Sequence, residues 1–209
     1  MTTHIYHLKP HSAFHFGIRG VGIEETLEFS PSDTLFSALC ITKRLLDGNN
    51  DELRTYLGAF SEHPSFVCTG GFPYVQTDGG WIRFYPAPLS LRRLIIDRKL
   101  SSDEADQLKK LFKAEWLSER LFFDWVNNEG DGFTFLQNCR EAQVGAFVHL
   151  EEYNIIATKY TASHLDKIVL WRKGDVPHVA VDRVQSAGNI FQVGRLWFAE
   201  GGGLWCAFH

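Results

Sequence analysis

Residues 30–48 hold the pattern that restricts the fold most. Ser30, Pro31 and Asp33 read as a Ser-x-x-acid helix start with proline at the first helical position, a variant of the capping box. Leu35, Phe36, Leu39, Leu45 and Leu46 then repeat at helical spacing, and Gly48 is a good stop. Just upstream, "HSAFHFGIRGVGIEE" (11–25) reads as a strand end followed by a loop with Gly17, Gly20 and Gly22 around one cation, Arg19. Glycines before a capped helix remove the Cβ atoms that keep another backbone away. The visiting backbone is a phosphate chain, a nucleic acid or a partner protein.

The remaining patterns place this helix in a mixed fold. "HIYHLKP" (4–10) alternates as a first strand ended by Pro10. "DELRTYLGAF" (51–60) puts Leu53, Tyr56, Leu57 and Phe60 on one helical face. "SFVCTGGFPYV" and "WIRFYPAPL" flank a hairpin turn at Asp78-Gly79-Gly80, and Ser102 caps a helix over 103–112. After the aromatic stretch "LFFDWV" (121–126), strands follow: "GAFVHLEEY", "KIVLW", "HVAVDRV", "NIFQVGRLWF" and "GLWCAFH". The order predicts an α+β protein: a ferredoxin-like unit over 1–140, with a helical insertion, and a β-rich section over 141–209.

Composition excludes several classes. A net charge of −4 argues against a generally basic nucleic-acid coat but permits a local basic groove. Cys40, Cys68, Cys139 and Cys206 form no CxxC pair; without a signal peptide they read as reduced, mostly buried thiols. No apolar run approaches the roughly 20 residues of a membrane span, so a soluble cytoplasmic protein is expected. His4, His7, His11 and His15 share no helical face, which argues against a zinc site. "GIRGVG" lacks the Lys-Ser/Thr of a phosphate-binding loop, and no nucleophile elbow or catalytic cysteine signature is present. The carboxylate pairs Glu24-Glu25, Asp103-Glu104 and Glu151-Glu152 fall in loops or at helix starts. No catalytic residue, metal or cofactor is expected. The 17 phenylalanines and 6 tryptophans predict apolar patches, around Phe122, Phe123, Trp125 and the Trp197-Phe198 strand.

"FHFG" (14–17), the glycine loop and "SDTLFSALC" (32–40) together resemble the amino-terminal signature of the RAMP proteins of CRISPR effector complexes. More narrowly, the chain is similar to the fourth Csm subunits of type III-A systems, which cap the 5′ end of the guide RNA. "GGFPYV" with "WIRFYPAPL", "PHVAVDRVQSAGNIFQVGRLWF" (177–198) and "AEGGGLWCAF" (199–208) resemble later segments of that family in the family's order. Members of the family continue past this last hairpin to a second glycine-rich loop. This chain stops at His209, so it is a fragment or its second ferredoxin-like domain is incomplete.

The resemblance implies a ferredoxin-like (RRM-like) RAMP fold and a non-catalytic subunit that holds the repeat-derived 5′ handle of the guide crRNA. Its partners would be the large polymerase-bearing subunit and the first RAMP backbone subunit, with no membrane. Sheets of this kind hold splayed single strands with backbone amides and a few cations. The implied RNA contacts are His15, Gly17, Arg19 and Gly20 in the loop, Lys43 and Arg44 on the next helix, and His178, Arg183 and Ser186 in the "VDRV" segment. Several have a plainer reading: a shaped turn for the glycines, a packed or solvated ring for His15, an ion pair with Asp182 or Asp175 for Arg183. Two other functions stay open. One is a metal-independent, guide-processing endoribonuclease of the same superfamily with His15 as base. The other is an unrelated protein-binding module.

Overall fold

The computed structural model describes residues 2–17, 25–77, 80–90, 93, 115–127, 143–144, 147–148, 170–181 and 188–209. It is α+β and divides into two compact units, Met1–Pro73 with Trp171–His209, and Tyr74–Leu170. The sequence boundary at 140 lies outside the described residues.

In the first unit, β1 (His4–Leu8) pairs antiparallel with β9 (Gly202–Phe208), in register from His4↔Phe208 to Leu8↔Leu204. Leu204, Trp205 and Cys206 of β9 are buried, and burial pushes the Cys206 thiol pKa up. Cys40 and Cys68 are half-buried free thiols, and Cys139 lies outside the described residues. α1 (Ser32–Asp47) and α2 (Asn50–Glu62) pack through Phe36 and Phe60, whose ring centroids are 4.9 Å apart. Gly48 ends α1 at φ 80°, its N–H donating to the Arg44 carbonyl, so the glycine stop is as expected. α2 starts at Asn49, whose side chain accepts from Glu52 N–H at 2.8 Å while its amide donates to the Glu52 carboxylate at 3.0 Å.

Two helix expectations need correction. Ser30 is not the cap of α1: Pro31 occupies that position and the helix begins at Ser32. Ser30 is buried because its backbone is used elsewhere, donating to Gly71 O at 3.0 Å and accepting from Gly71 N–H at 2.7 Å. The apolar stripe of α1 is also only partly covered within the described residues: Leu35 and Phe36 are half-buried. Leu45 and Leu46 are 76% and 81% exposed, and no residue of the helix is fully buried. Beneath α1 lies an apolar groove of about 500 Å3, lined in part by Tyr6, Leu8, Leu35, Leu39, Phe66 and Phe208. The expected patches are smaller: Phe123 is exposed, but Phe122, Trp125, Trp197 and Phe198 are half-buried.

The first unit also carries a long hairpin, β7 (Trp171–Val181) and β8 (Gly188–Phe198), antiparallel from Trp171↔Phe198 to Val181↔Gly188. Leu196 on β8 is fully buried.

In the second unit, β2 (Phe72–Thr77) and β3 (Gly80–Pro86) form the expected hairpin, with Thr77 opposite Gly80 and the connecting residues 78–79 outside the described set. β4 (Trp116–Ser118) pairs antiparallel with β3 and parallel with β6 (Phe147–Val148), which pairs antiparallel with β5 (Gln143–Val144). "LFFDWV" is helical, within α3 (Glu119–Asn127), whose buried residue is Leu121; Tyr74, Val75, Ile82, Phe84 and Leu117 are among the buried apolar residues of the strands. Arg83 grips Glu119 at the start of α3 with Nη2 to Oε2 at 2.7 Å and Nε to both oxygens, and the Tyr85 hydroxyl donates to Glu119 at 3.2 Å. Burial, then the Glu119 charge, pushes the Tyr85 phenol well above its ordinary range. The expected helix over 103–112 lies outside the described residues.

Candidate nucleic-acid interface

The glycine loop leaves and re-enters the fold through a closed neck. Phe14 extends the edge of β8, donating to Leu196 O at 2.9 Å and accepting from Leu196 N–H at 2.8 Å. Gly17 and Thr26 form an antiparallel bridge, reinforced by Phe16 N–H to Thr26 Oγ1 at 2.9 Å and Leu27 N–H to Phe16 O at 2.9 Å. Thr26 is buried because its hydroxyl is part of this clasp. Residues 18–24, with Arg19 and Gly20, lie outside the described residues.

His15 stands at this neck. Its Nδ1 lies 2.8 Å from the Gly194 carbonyl, so Nδ1–H donates and Nε2 is the ring atom left for another partner. A Cβ on Gly17 would sit 3.3 Å from His15 Nε2. The glycine therefore leaves room for the imidazole, a reason separate from any approaching ligand.

Lys43 and Arg44 differ in availability. Lys43 Nζ is 2.8 Å from Asp47 and 5.3 Å from the Tyr56 ring centroid, and the Asp47 bond raises its pKa. Arg44 is exposed in the last turn of α1, with no ion pair among the described residues. No hydrogen bond or ring contact among the described residues joins either to His15. Arg183 and Ser186 fall in 182–187, outside the described residues.

His178 is in a richer setting. In an antiparallel ladder, opposed residues share a face and successive residues alternate. Arg172↔Trp197, Gly174↔Arg195, Val176↔Val193 and His178↔Phe191 thus lie on one face of β7–β8. Arg172 sits 5.3 Å from the Trp197 ring centroid. His178 stacks on Phe191 at 5.8 Å and 26°, and Arg195 Nη2 lies 3.4 Å from His178 Nε2. Neither arginine has an ion pair among the described residues. The cation of the opposite face, Lys173, is by contrast bonded to Glu28 at 2.9 Å. Sequence reasoning found His178 but missed Arg172, Phe191, Arg195 and Trp197. Their signal was a basic or aromatic residue at alternate positions, Arg172 and His178 on β7 and Phe191, Arg195 and Trp197 on β8, with Gly174, Val176 and Val193 between them. The shared face is legible only once the strand register is known.

The fold is shared with solved structures. A chain in a crystal structure of a Csm1–Csm4 cassette with AMPPNP superposes with a TM-score of 0.55 at 18% identity. The match covers 99% of this chain and 59% of that one. A chain in a Csm3–Csm4 subcomplex of the type III-A CRISPR-Cas interference complex gives a TM-score of 0.57 at 14% identity, covering 100% of this chain and 57% of that one. A Csm1–Csm4 cassette with cA4 gives 0.53 at 17% identity. This chain therefore spans under two thirds of the length of the structures it matches. No protein-family model and no curated protein sequence matches it. At these identities the shared property is the fold.

Proposed function

We propose that this protein is a non-catalytic RNA-binding subunit of a type III CRISPR effector, acting in the cytoplasm. It holds the 5′ repeat-derived handle of the guide crRNA and bridges the large polymerase-bearing subunit to a RAMP backbone subunit. The observation that carries this reading is the correspondence of fold over essentially the whole chain with chains of Csm1–Csm4 and Csm3–Csm4 assemblies. The two arginines that have no carboxylate partner among the described residues and lie beside aromatic rings support an anionic, base-bearing ligand. Guide pairing reads the target, so such a subunit needs contacts to shape and backbone only, which fits a net charge of −4.

One observation favours the nuclease reading: with Nδ1 held at the Gly194 carbonyl, His15 Nε2 has no hydrogen bond among the described residues and is the ring atom placed to take a proton. A single experiment separates the two. The chain is co-expressed with a polymerase-bearing subunit, a backbone subunit and a repeat-spacer array, and the small RNA recovered with it is sequenced. Guide RNA beginning in repeat sequence, unchanged in a His15→Ala variant, is expected. Complexes that form without guide RNA overturn the handle role. Repeat cleavage by the purified chain, lost in His15→Ala, replaces the scaffold with the nuclease.

A further inference from the structure

We propose that the Arg172–Trp197–Arg195–His178–Phe191 face of β7–β8 is a base-stacking platform for unpaired nucleotides, so that this subunit holds its RNA by bases as well as phosphates. The inference rests on the RNA-binding reading and goes beyond it, because that reading asks only for backbone contacts.

Three features of the hairpin point there. Its rings, Trp197 and Phe191, are half-buried with part of each ring open, and they are held in place by the strands around the buried Val193. Trp197 lies against Gly174, where a Cβ would come within 3.1 Å of the indole Cζ3, so the absent side chain seats the ring on the ladder. Phe191 is backed by the His178 ring at 5.8 Å. Trp197 and Phe191 stand six residues apart on β8, roughly 20 Å along the strand, with Arg195 between them.

The second feature is charge without an ion pair among the described residues. Arg172 meets a ring face and no carboxylate among the described residues. Arg195 spends one N–H on His178 Nε2 at 3.4 Å, a longer contact than the 2.7–2.9 Å typical of arginine with a charged oxygen. A phosphate is a better partner for that guanidinium than the imidazole it touches now. The third feature is alternation itself. Cations and rings share one face, which suits a strand whose phosphates and bases follow each other. A protein ligand matching this face would supply carboxylates for the arginines but has no comparable need for two rings.

The test uses the purified full chain. A mixed-sequence single-stranded RNA and an abasic oligomer of equal length are titrated by fluorescence anisotropy at several salt concentrations. Trp197→Leu and Phe191→Leu are each expected to weaken intact RNA about tenfold, with the abasic oligomer bound as by the parent and the salt slope unchanged. Gly174→Ala, which keeps every ring and charge but unseats the indole, is expected to behave like Trp197→Leu. It also serves as a second probe should that variant misfold by circular dichroism. Arg172→Gln and Arg195→Gln should weaken both oligomers and lower the salt slope by about 0.7 each. Ring variants that bind intact RNA as the parent does, or that lose both oligomers equally, overturn the platform while RNA binding stands. A parent chain that binds neither oligomer removes the RNA-binding reading as well.

Discussion

Gly70 and Gly58 offer the same substitution, glycine to alanine, with opposite expected signs. At Gly70 a Cβ would stand 2.8 Å from the Ser30 carbonyl oxygen and 3.1 Å from Phe72 Cε1. The oxygen cannot easily retreat, because it accepts the Gly71 N–H at 2.7 Å and the Ser30 N–H donates back to Gly71 O at 3.0 Å. An ordinary C···O contact starts near 3.3 Å, so the clash needs a backbone shift of about half an ångström. Insertions of this kind into packed sites cost about 1–3 kcal/mol. At Gly58, inside α2 and exposed, a new Cβ meets nothing within 4 Å. There alanine should stabilise by about 0.5–1 kcal/mol through helix propensity. With a urea m-value of about 2 kcal/mol per molar, Gly70→Ala should lower the unfolding midpoint by about 1 M and Gly58→Ala should raise it by about 0.3 M. Urea titrations followed by circular dichroism, with both variants beside the parent, read this directly. Midpoints that move in the same direction, or a Gly70→Ala midpoint equal to the parent's, would refute the Ser30–Gly71 junction as the rigid anchor of α1.

Gly17→Val should cost about 1 kcal/mol by pushing His15 off the Gly194 carbonyl. The penalty should vanish in a His15→Ala background, and a thermodynamic cycle in which the two effects simply add would show that Gly17 has another role. Glu119→Ala should destabilise the second unit by about 2 kcal/mol, because the Arg83 side chain, only 22% exposed, loses its carboxylate. Glu119→Gln, which keeps an acceptor, should lose less, and equal losses in the two variants would deny the ion pair its part.

What could be read in the sequence was whatever is decided within about ten residues. The Gly48 stop, the hairpin joining β2 and β3, and the strands at 189–198 and 202–208 follow from local periodicity and turn residues, and the structure has them. What failed depends on distant partners. Ser30 has a cap's sequence context, yet its backbone is taken by Gly71, forty-one positions on. "LFFDWV" received no element from the sequence, and it is helical with Leu121 buried and Glu119 gripped by Arg83, thirty-six positions back. Leu45 and Leu46 read as core, since hydrophobicity marks what seeks cover and not whether cover is supplied. The candidate site divides along the same line. Motif resemblance led to loops, and Arg19, Gly20, Arg183 and Ser186 all fall outside the described residues. Arg172 and Arg195 carry no motif and sit twenty-three positions apart in sequence, but two rungs apart on one face of a ladder. A register slip of one residue would send one strand's cations to the opposite face and leave the rings of the other behind. The pairing of β7 with β8, a long-range fact about the fold, is therefore what brings the rings and the two guanidinium groups together on one face.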